Sequence, residues 1–185
     1  TELNLLNKAE PLQIQVVEKD VHTGLCKRLD HRSIDIRKAR IKAIFKIQST
    51  LINAFREFFY KNNFIEIQPP GIIGTSTEGG TNLFPVQYFE KKAYLAQSPQ
   101  LYKQLAAISW EKVFSTSTVW RAEKHNTVRH LNEARQLDIE VAFADQFEVM
   151  RWQEKILTHM IKKVIEECKE EIKILNLKLK LPKFK

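Results

Sequence analysis

The sequence is poor in the residues that build metal sites, covalent frameworks and membrane spans. Its two cysteines, Cys26 and Cys168, lie far apart with no C-x-x-C or Cys/His ligand spacing. Neither a metal site nor a disulfide framework is indicated, and the composition fits a reducing compartment. No apolar run approaches the length of a transmembrane helix, and the opening TELNLLNKAE lacks the charged and apolar regions of a signal peptide. The expected location is therefore the cytoplasm, with no membrane attachment. There is no internal repeat or low-complexity linker. All five glycines, Gly24, Gly71, Gly74, Gly79 and Gly80, precede residue 81, so no glycine-rich junction can form after that point. The first residue is not methionine, and a fragment of a longer chain is expected.

What is present is enough for one domain: 185 residues, 43% hydrophobic, can bury a substantial core. The net charge of +8 implies an anionic partner, most simply nucleic acid. Apolar residues from Ile41 to Phe59 recur at three- and four-residue spacing without Gly or Pro, which predicts a helix over Arg37 to Asn62. That stripe is wide and aromatic, so it can serve a core, a second subunit, or both. Phe64 to Gln68 reads as a strand stopped by Pro69-Pro70, because proline lacks the ladder N–H. Gly71 to Asn82 is a flexible loop with a single carboxylate, Glu78, suited to an ammonium group. Ala93 to Gln104 reads as a short strand entering a helix with Pro99 in its first turn. On that helix Gln100 and Lys103 share a face, either an exposed polar face or a binding one. Asp145 to Glu171 is a closing helix, and the leucine–lysine alternation after it is strand-like or frayed. Near the start, Pro11 to Val17 alternates as a short strand, and Arg28 to Arg32 is a dense charged turn.

The stretch from Val113 to Phe143 carries the chemistry. Its first arm alternates, with Phe114, Thr116, Thr118 and Trp120 on one side and Val113, Ser115, Ser117, Val119 and Arg121 on the other. In the second arm Leu137, Ile139, Val141 and Phe143 form an apolar face, opposite Gln136, Asp138, Glu140 and Ala142. The apolar face should pack on helices, whereas a covered polar face is usually a site. Between the arms lie Arg121, Lys124, Arg129 and Arg135 against Glu123 and Glu133, with His125 and His130. Guanidinium groups bind phosphate oxygens bidentately, so this loop suits a polyphosphate; the alternative is a solvated basic hairpin.

Three blocks, Arg121-Ala122-Glu123, Arg129-His130-Leu131-Asn132-Glu133 and Leu137 to Phe143, resemble motif 2 of the class II aminoacyl-tRNA synthetases. The form is that of aspartyl-tRNA synthetases of the archaeal and eukaryotic type. The long helix, strand and prolines resemble motif 1, the dimer element of that family. The resemblance covers roughly residues 8 to 185. It implies an α+β fold, an antiparallel sheet flanked by helices, forming part of a class II catalytic domain. Residues 1–30 would be the end of an N-terminal anticodon-binding region and its linker, and residues 31–185 the first part of the catalytic domain. Motif 3, which needs a glycine-rich strand–helix junction and an arginine, is absent. One departure concerns the adenine platform: Ala134 followed by Arg135 stands where many eukaryotic members have phenylalanine.

By that resemblance the protein is an aspartate–tRNA ligase that activates L-aspartate with ATP and passes the acyl group to tRNA(Asp). Arg121 would act in catalysis and contact both ATP and aspartate. Glu123, Arg129, His130 and Leu131 would complete ATP binding, and Glu78, Gln100, Lys103 and Asp138 would bind aspartate. Lys124, His125, Asn126 and Thr127 would meet the tRNA acceptor end. Mg2+ would accompany ATP, with its protein ligands beyond this chain, and a homodimer would form through Arg37 to Pro70. The alternatives are an asparaginyl-tRNA synthetase or amide-forming paralogue, and a non-catalytic RNA-binding or regulatory fragment. The motif 2 reading also demands that Arg121 and Asp138 lie on one face of the sheet; the other register would bury Asp138 beside Trp120.

Overall fold

A computed structural model describes residues 2–17, 22–77, 79, 82–125, 127 and 129–184. The elements in chain order are α1 (Leu25–Asp30), α2 (Arg32–Asp35), α3 (Ala39–Lys61), β1 (Ile65–Glu66), β2 (Ile72–Ile73), β3 (Pro85–Tyr88), β4 (Lys91–Leu95), α4 (Gln100–Trp110), β5 (Lys112–Trp120), β6 (Glu133–Val141), α5 (Gln146–Glu167) and α6 (Lys169–Leu175). This is the α+β architecture the sequence implies. Two compact units are present, Thr1–Thr50 with Lys163–Lys180, and Leu51–Lys162 with Leu181–Lys185.

In the first unit the segment expected to be a charged turn is helical. Asp35, with no exposed surface, explains why: it gathers three cations at once. Arg28 Nε donates to Oδ1 at 2.8 Å, Arg32 Nη1 donates to Oδ2 at 2.5 Å, and Lys38 Nζ lies 3.4 Å from Oδ1. A helical path brings Arg32 and Lys38 to Asp35 from three residues on either side, and α1 supplies Arg28. The hydrogen bond from Arg28 holds the Asp35 carboxyl below the usual aspartate range despite its burial, and Lys38 adds to the effect. The strand expected over Pro11 to Val17 does not form; Ile14 alone of its apolar residues is buried. The closing helix also departs from expectation. It breaks at Cys168, whose backbone leaves the helical region while its buried thiol donates to Thr50 Oγ1 at 3.3 Å. Asn176, at φ 54°, ends α6 in the left-handed conformation that asparagine tolerates, and the leucine–lysine tail beyond it forms no strand.

The second unit is built on aromatic rings. Phe55, Phe59, Phe64, Phe114 and Ile156 form its buried centre, flanked by Phe58, Leu137, Ile139, Val141, Trp152 and Met160. Phe59 sits 4.8 Å from Phe55 and 4.7 Å from Phe64, centroid to centroid, both at edge-to-face angles. Thus the apolar face of β6 packs on helices, as its alternation requires. Phe143 does not belong to it: β6 ends at Val141, and Phe143 occupies a turn at φ 56°, 96% exposed. At the end of α3, Asn63 at φ 62° lets the Phe64 N–H reach back to the Phe59 carbonyl at 3.0 Å, which turns the chain into β1.

One sheet has the order β1-β5-β6, parallel between β1 and β5 and antiparallel between β5 and β6; a second antiparallel sheet has the order β2-β4-β3. The second sheet went largely unread in the sequence, because its strands are too short to show periodicity. At the foot of the first sheet, Glu66 accepts hydrogen bonds from Arg56 Nε (3.0 Å), the Tyr60 hydroxyl (2.6 Å) and Thr116 Oγ1 (3.0 Å). Burial alone would raise the Glu66 pKa, but these donors outweigh it and leave the carboxyl below its usual range.

Candidate functional site

The β5–β6 register decides which side chains meet. Val113 stands opposite Glu140, Ser115 opposite Asp138, Ser117 opposite Gln136 and Val119 opposite Ala134. Residues directly opposite share a face, so the odd positions of β5 lie with the even positions of β6. The Arg121 N–H continues the ladder to the Asn132 carbonyl at 3.0 Å, and the alternation puts Arg121 on the Asp138 face. Trp120 stands opposite Glu133 instead, and its indole N–H donates to Glu133 Oε2 at 3.2 Å. The register is the one the motif requires, not its alternative.

At one end of this face lies a cleft of about 480 Å³. Its lining includes Arg121, Glu123, Arg129, His130 and Leu131, all five residues expected at ATP, together with Arg135 and Gln136. The size falls in the range of small-molecule sites. Arg121 and Arg129 bring two guanidinium-bearing residues to this lining, which suits an anion by chemistry, whereas the Arg135 guanidinium donates to the Thr116 carbonyl at 3.2 Å. The loop above is tied by its own side chains: Thr127 Oγ1 and His130 Nδ1 are 2.7 Å apart, and Asn132 Nδ2 donates to the Glu123 carbonyl at 3.2 Å. Lys124, His125 and Thr127 are exposed, as an RNA contact requires, while Asn126 lies outside the described residues.

At the other end α4 covers the polar face. Lys103, 4% exposed, reaches from α4 so that Nζ lies 3.1 Å from Asp138 Oδ1 and 3.7 Å from Glu140 Oε2. Thus two residues that the sequence assigned separately to aspartate form an ion pair. Buried polar atoms remain around it: Ser115 Oγ, Gln136 Oε1 and Asp138 Oδ2 have no hydrogen-bond partner among the described residues. Buried acceptors are nearly always satisfied in folded proteins, so an unpartnered group of this kind marks a place for ligand or water. Gln100 is half-buried at the start of α4, where its backbone N–H donates to Ser98 Oγ at 3.1 Å.

The loop expected to be flexible is anchored in its first half. Ala96 N–H donates to the Gly71 carbonyl (2.9 Å), Gln97 Nε2 to Ser76 Oγ (3.1 Å) and Thr77 Oγ1 to the Ser98 carbonyl (2.7 Å). This ties the residues just before Glu78 to the turn that starts α4; Glu78 itself lies outside the described residues. Sequence reasoning did not assign Glu140, which faces Lys103. The signal was present: Glu140 shares the alternation of Asp138.

Residues 25–185 match the family model of class II tRNA synthetases (D, K and N). The chain belongs to the class II tRNA synthetases. It is 47% identical over 184 residues to an aspartate–tRNA(Asp/Asn) ligase of Methanosarcina acetivorans, covering 98% of this chain and 41% of that protein. It is 50% identical over 183 residues to an aspartate–tRNA(Asp) ligase of Thermococcus kodakarensis, covering 97% and 42%. Among solved structures, asparaginyl-tRNA synthetase from Pyrococcus horikoshii complexed with asparaginyl-adenylate superposes with a TM-score of 0.79 at 39% identity. The match covers 82% of this chain and 35% of that one. A putative aspartyl-tRNA synthetase from Leishmania major gives 0.77 at 34% identity, covering 85% and 30%. The synthetase chain therefore spans about two-fifths of the length of the curated relatives it matches. Among the described residues no helix is long and apolar enough to cross a membrane.

Proposed function

We propose that this chain is part of an aspartate–tRNA ligase, which joins L-aspartate to ATP as aspartyl-adenylate and transfers the acyl group to tRNA(Asp). The observation that carries the reading is Lys103 buried against Asp138: one cation and one anion side by side match an amino acid with a charged side chain. The substrate ammonium would take Asp138, and its side-chain carboxylate would take Lys103, with Gln100 and Glu78 beside it. Arg121 would bridge the reacting carboxylate and the α-phosphate. Activation is an in-line attack on phosphorus, so it needs placement and charge stabilisation, not a protein nucleophile. Arg129 and His130 would hold the outer phosphates, and Glu123 and Leu131 the adenine side. Lys124, His125, Asn126 and Thr127 would face the tRNA acceptor end.

Among the described residues no three His, Cys, Asp or Glu side chains cluster as metal ligands. By the family resemblance, Mg2+ would come with ATP and take its protein ligands from outside these 185 residues. In the proposed organisation residues 1–30 end an anticodon-binding region and its linker, and residues 31–185 begin the catalytic domain of a cytoplasmic enzyme. A homodimer through Arg37 to Pro70 would cover Ile44 and Phe45, both nearly half exposed on α3. Asparagine is the second reading, favoured by the asparaginyl-adenylate neighbour. A neutral amide gives a buried lysine no charge to meet, which favours aspartate. ATP–pyrophosphate exchange by the gene's complete product tests the choice: exchange should depend on aspartate, and exchange with asparagine alone refutes the proposal.

A further inference from the structure

Asp138 and Glu140 are two residues apart on β6, so their side chains stand on one face about 7 Å apart along the strand. Lys103 comes down from α4 between them, with Nζ 3.1 Å from one carboxylate and 3.7 Å from the other. Only Asp138 Oδ1 is engaged; Oδ2 has no partner among the described residues. With one carboxylate alone, a buried ammonium has every reason to settle onto both oxygens, since it carries three donors and no other counter-charge. The second carboxylate changes that balance, pulling the lysine along the strand and leaving half of Asp138 available.

We infer that Glu140 is a positioning residue for amino-acid recognition: it holds Lys103 between two carboxylates, so that Asp138 Oδ2 stays open to an α-ammonium and Nζ stays open to a side-chain carboxylate. This rests on the aspartate reading above. Glu140 itself does not touch the substrate; it acts through the lysine. The alternative is that Glu140 merely adds negative charge. The two roles have opposite signs: removing a bare charge favours an anionic substrate, whereas removing a lysine anchor lets Lys103 collapse onto Asp138 and block the ammonium.

Pyrophosphate exchange in the gene's complete product, varying aspartate and ATP independently, distinguishes them. Glu140→Ala should raise the aspartate KM about tenfold or more, the scale of one hydrogen bond to a charged group. The ATP KM should stay within about twofold. Glu140→Gln, which keeps an acceptor oxygen at the same reach, should recover part of the loss. An unchanged or lowered aspartate KM in Glu140→Ala overturns the inference, and so does a parallel rise for ATP, which is the mark of general damage. If the unsubstituted protein exchanges no pyrophosphate with aspartate, the parent reading fails, and the two failures are distinct.

Discussion

The Lys103–Asp138 pair is a buried ion pair and, in the proposed function, also a recognition element, and the two aspects predict different things. Lys103→Met leaves two carboxylates on one covered face without their cation, and removing one partner of a buried pair costs about 3–5 kcal/mol. A urea titration of the 185-residue chain should show a loss near the lower end of that range, because Glu140 is about a quarter exposed and can relax toward water. In the complete protein, Asp138→Ala should weaken aspartate more than ATP, seen as a rise in one KM and not the other. Arg121→Ala should instead lower kcat and kcat/KM together by several kcal/mol, as for a contact that strengthens in the transition state. Equal effects of Asp138→Ala on both substrates would contradict the separation of the two ends of the polar face.

At the scale of elements, the hairpin and its aromatic support form one construction. The β5–β6 ladder fixes which residues face α4, and the rings of α3 and α5 hold its other face. Phe59, with no exposed surface and in ring contact with Phe55, Phe58, Phe64 and Phe114, is the centre of that support. Phe59→Ala should destabilise the chain by about 3–5 kcal/mol in chemical denaturation. The anchored loop gives a subtler prediction. Thr77→Val removes the 2.7 Å bond to the Ser98 carbonyl and leaves that buried carbonyl short of a donor, at about 1–3 kcal/mol. Amide exchange at residues 73–77 should speed up while exchange in β6 stays unchanged; uniform acceleration would mean the loop is not tied locally.

At the scale of the whole molecule, acid sensitivity follows from two depressed carboxyls, Asp35 and Glu66. The folded state binds a proton at these groups less readily than the unfolded chain, where Asp and Glu titrate near about 3.9 and 4.3. Their stabilisation is therefore complete above about pH 5 and is lost as pH falls through the lowered folded values. Urea midpoints should drop from about pH 5 downward, and Asp35→Asn, weaker at neutral pH, should show a flatter acid limb. A variant with the same acid slope as the unsubstituted chain would remove Asp35 from that account. The 185 residues alone should support no pyrophosphate exchange, because they include no glycine after Gly80 and so lack the expected third motif.

The sequence alone determined the long amphipathic helix, the two arms of the hairpin and the residues of the basic cleft. Each is written as local periodicity or as a spaced block, and local patterns need no partner to be read. Alternation even gave the faces of β5 and β6, because a strand has only two sides. What waited for the tertiary structure was everything settled by partners distant in sequence. Arg28 to Arg32 became helical around a buried aspartate that pattern alone marks as a surface charge. Cys168 broke a helix that has the period to continue. Lys103, which helical spacing left on an unspecified polar face, became a buried ammonium between Asp138 and Glu140, because only folding brings α4 across β6, and burial makes that pairing obligatory.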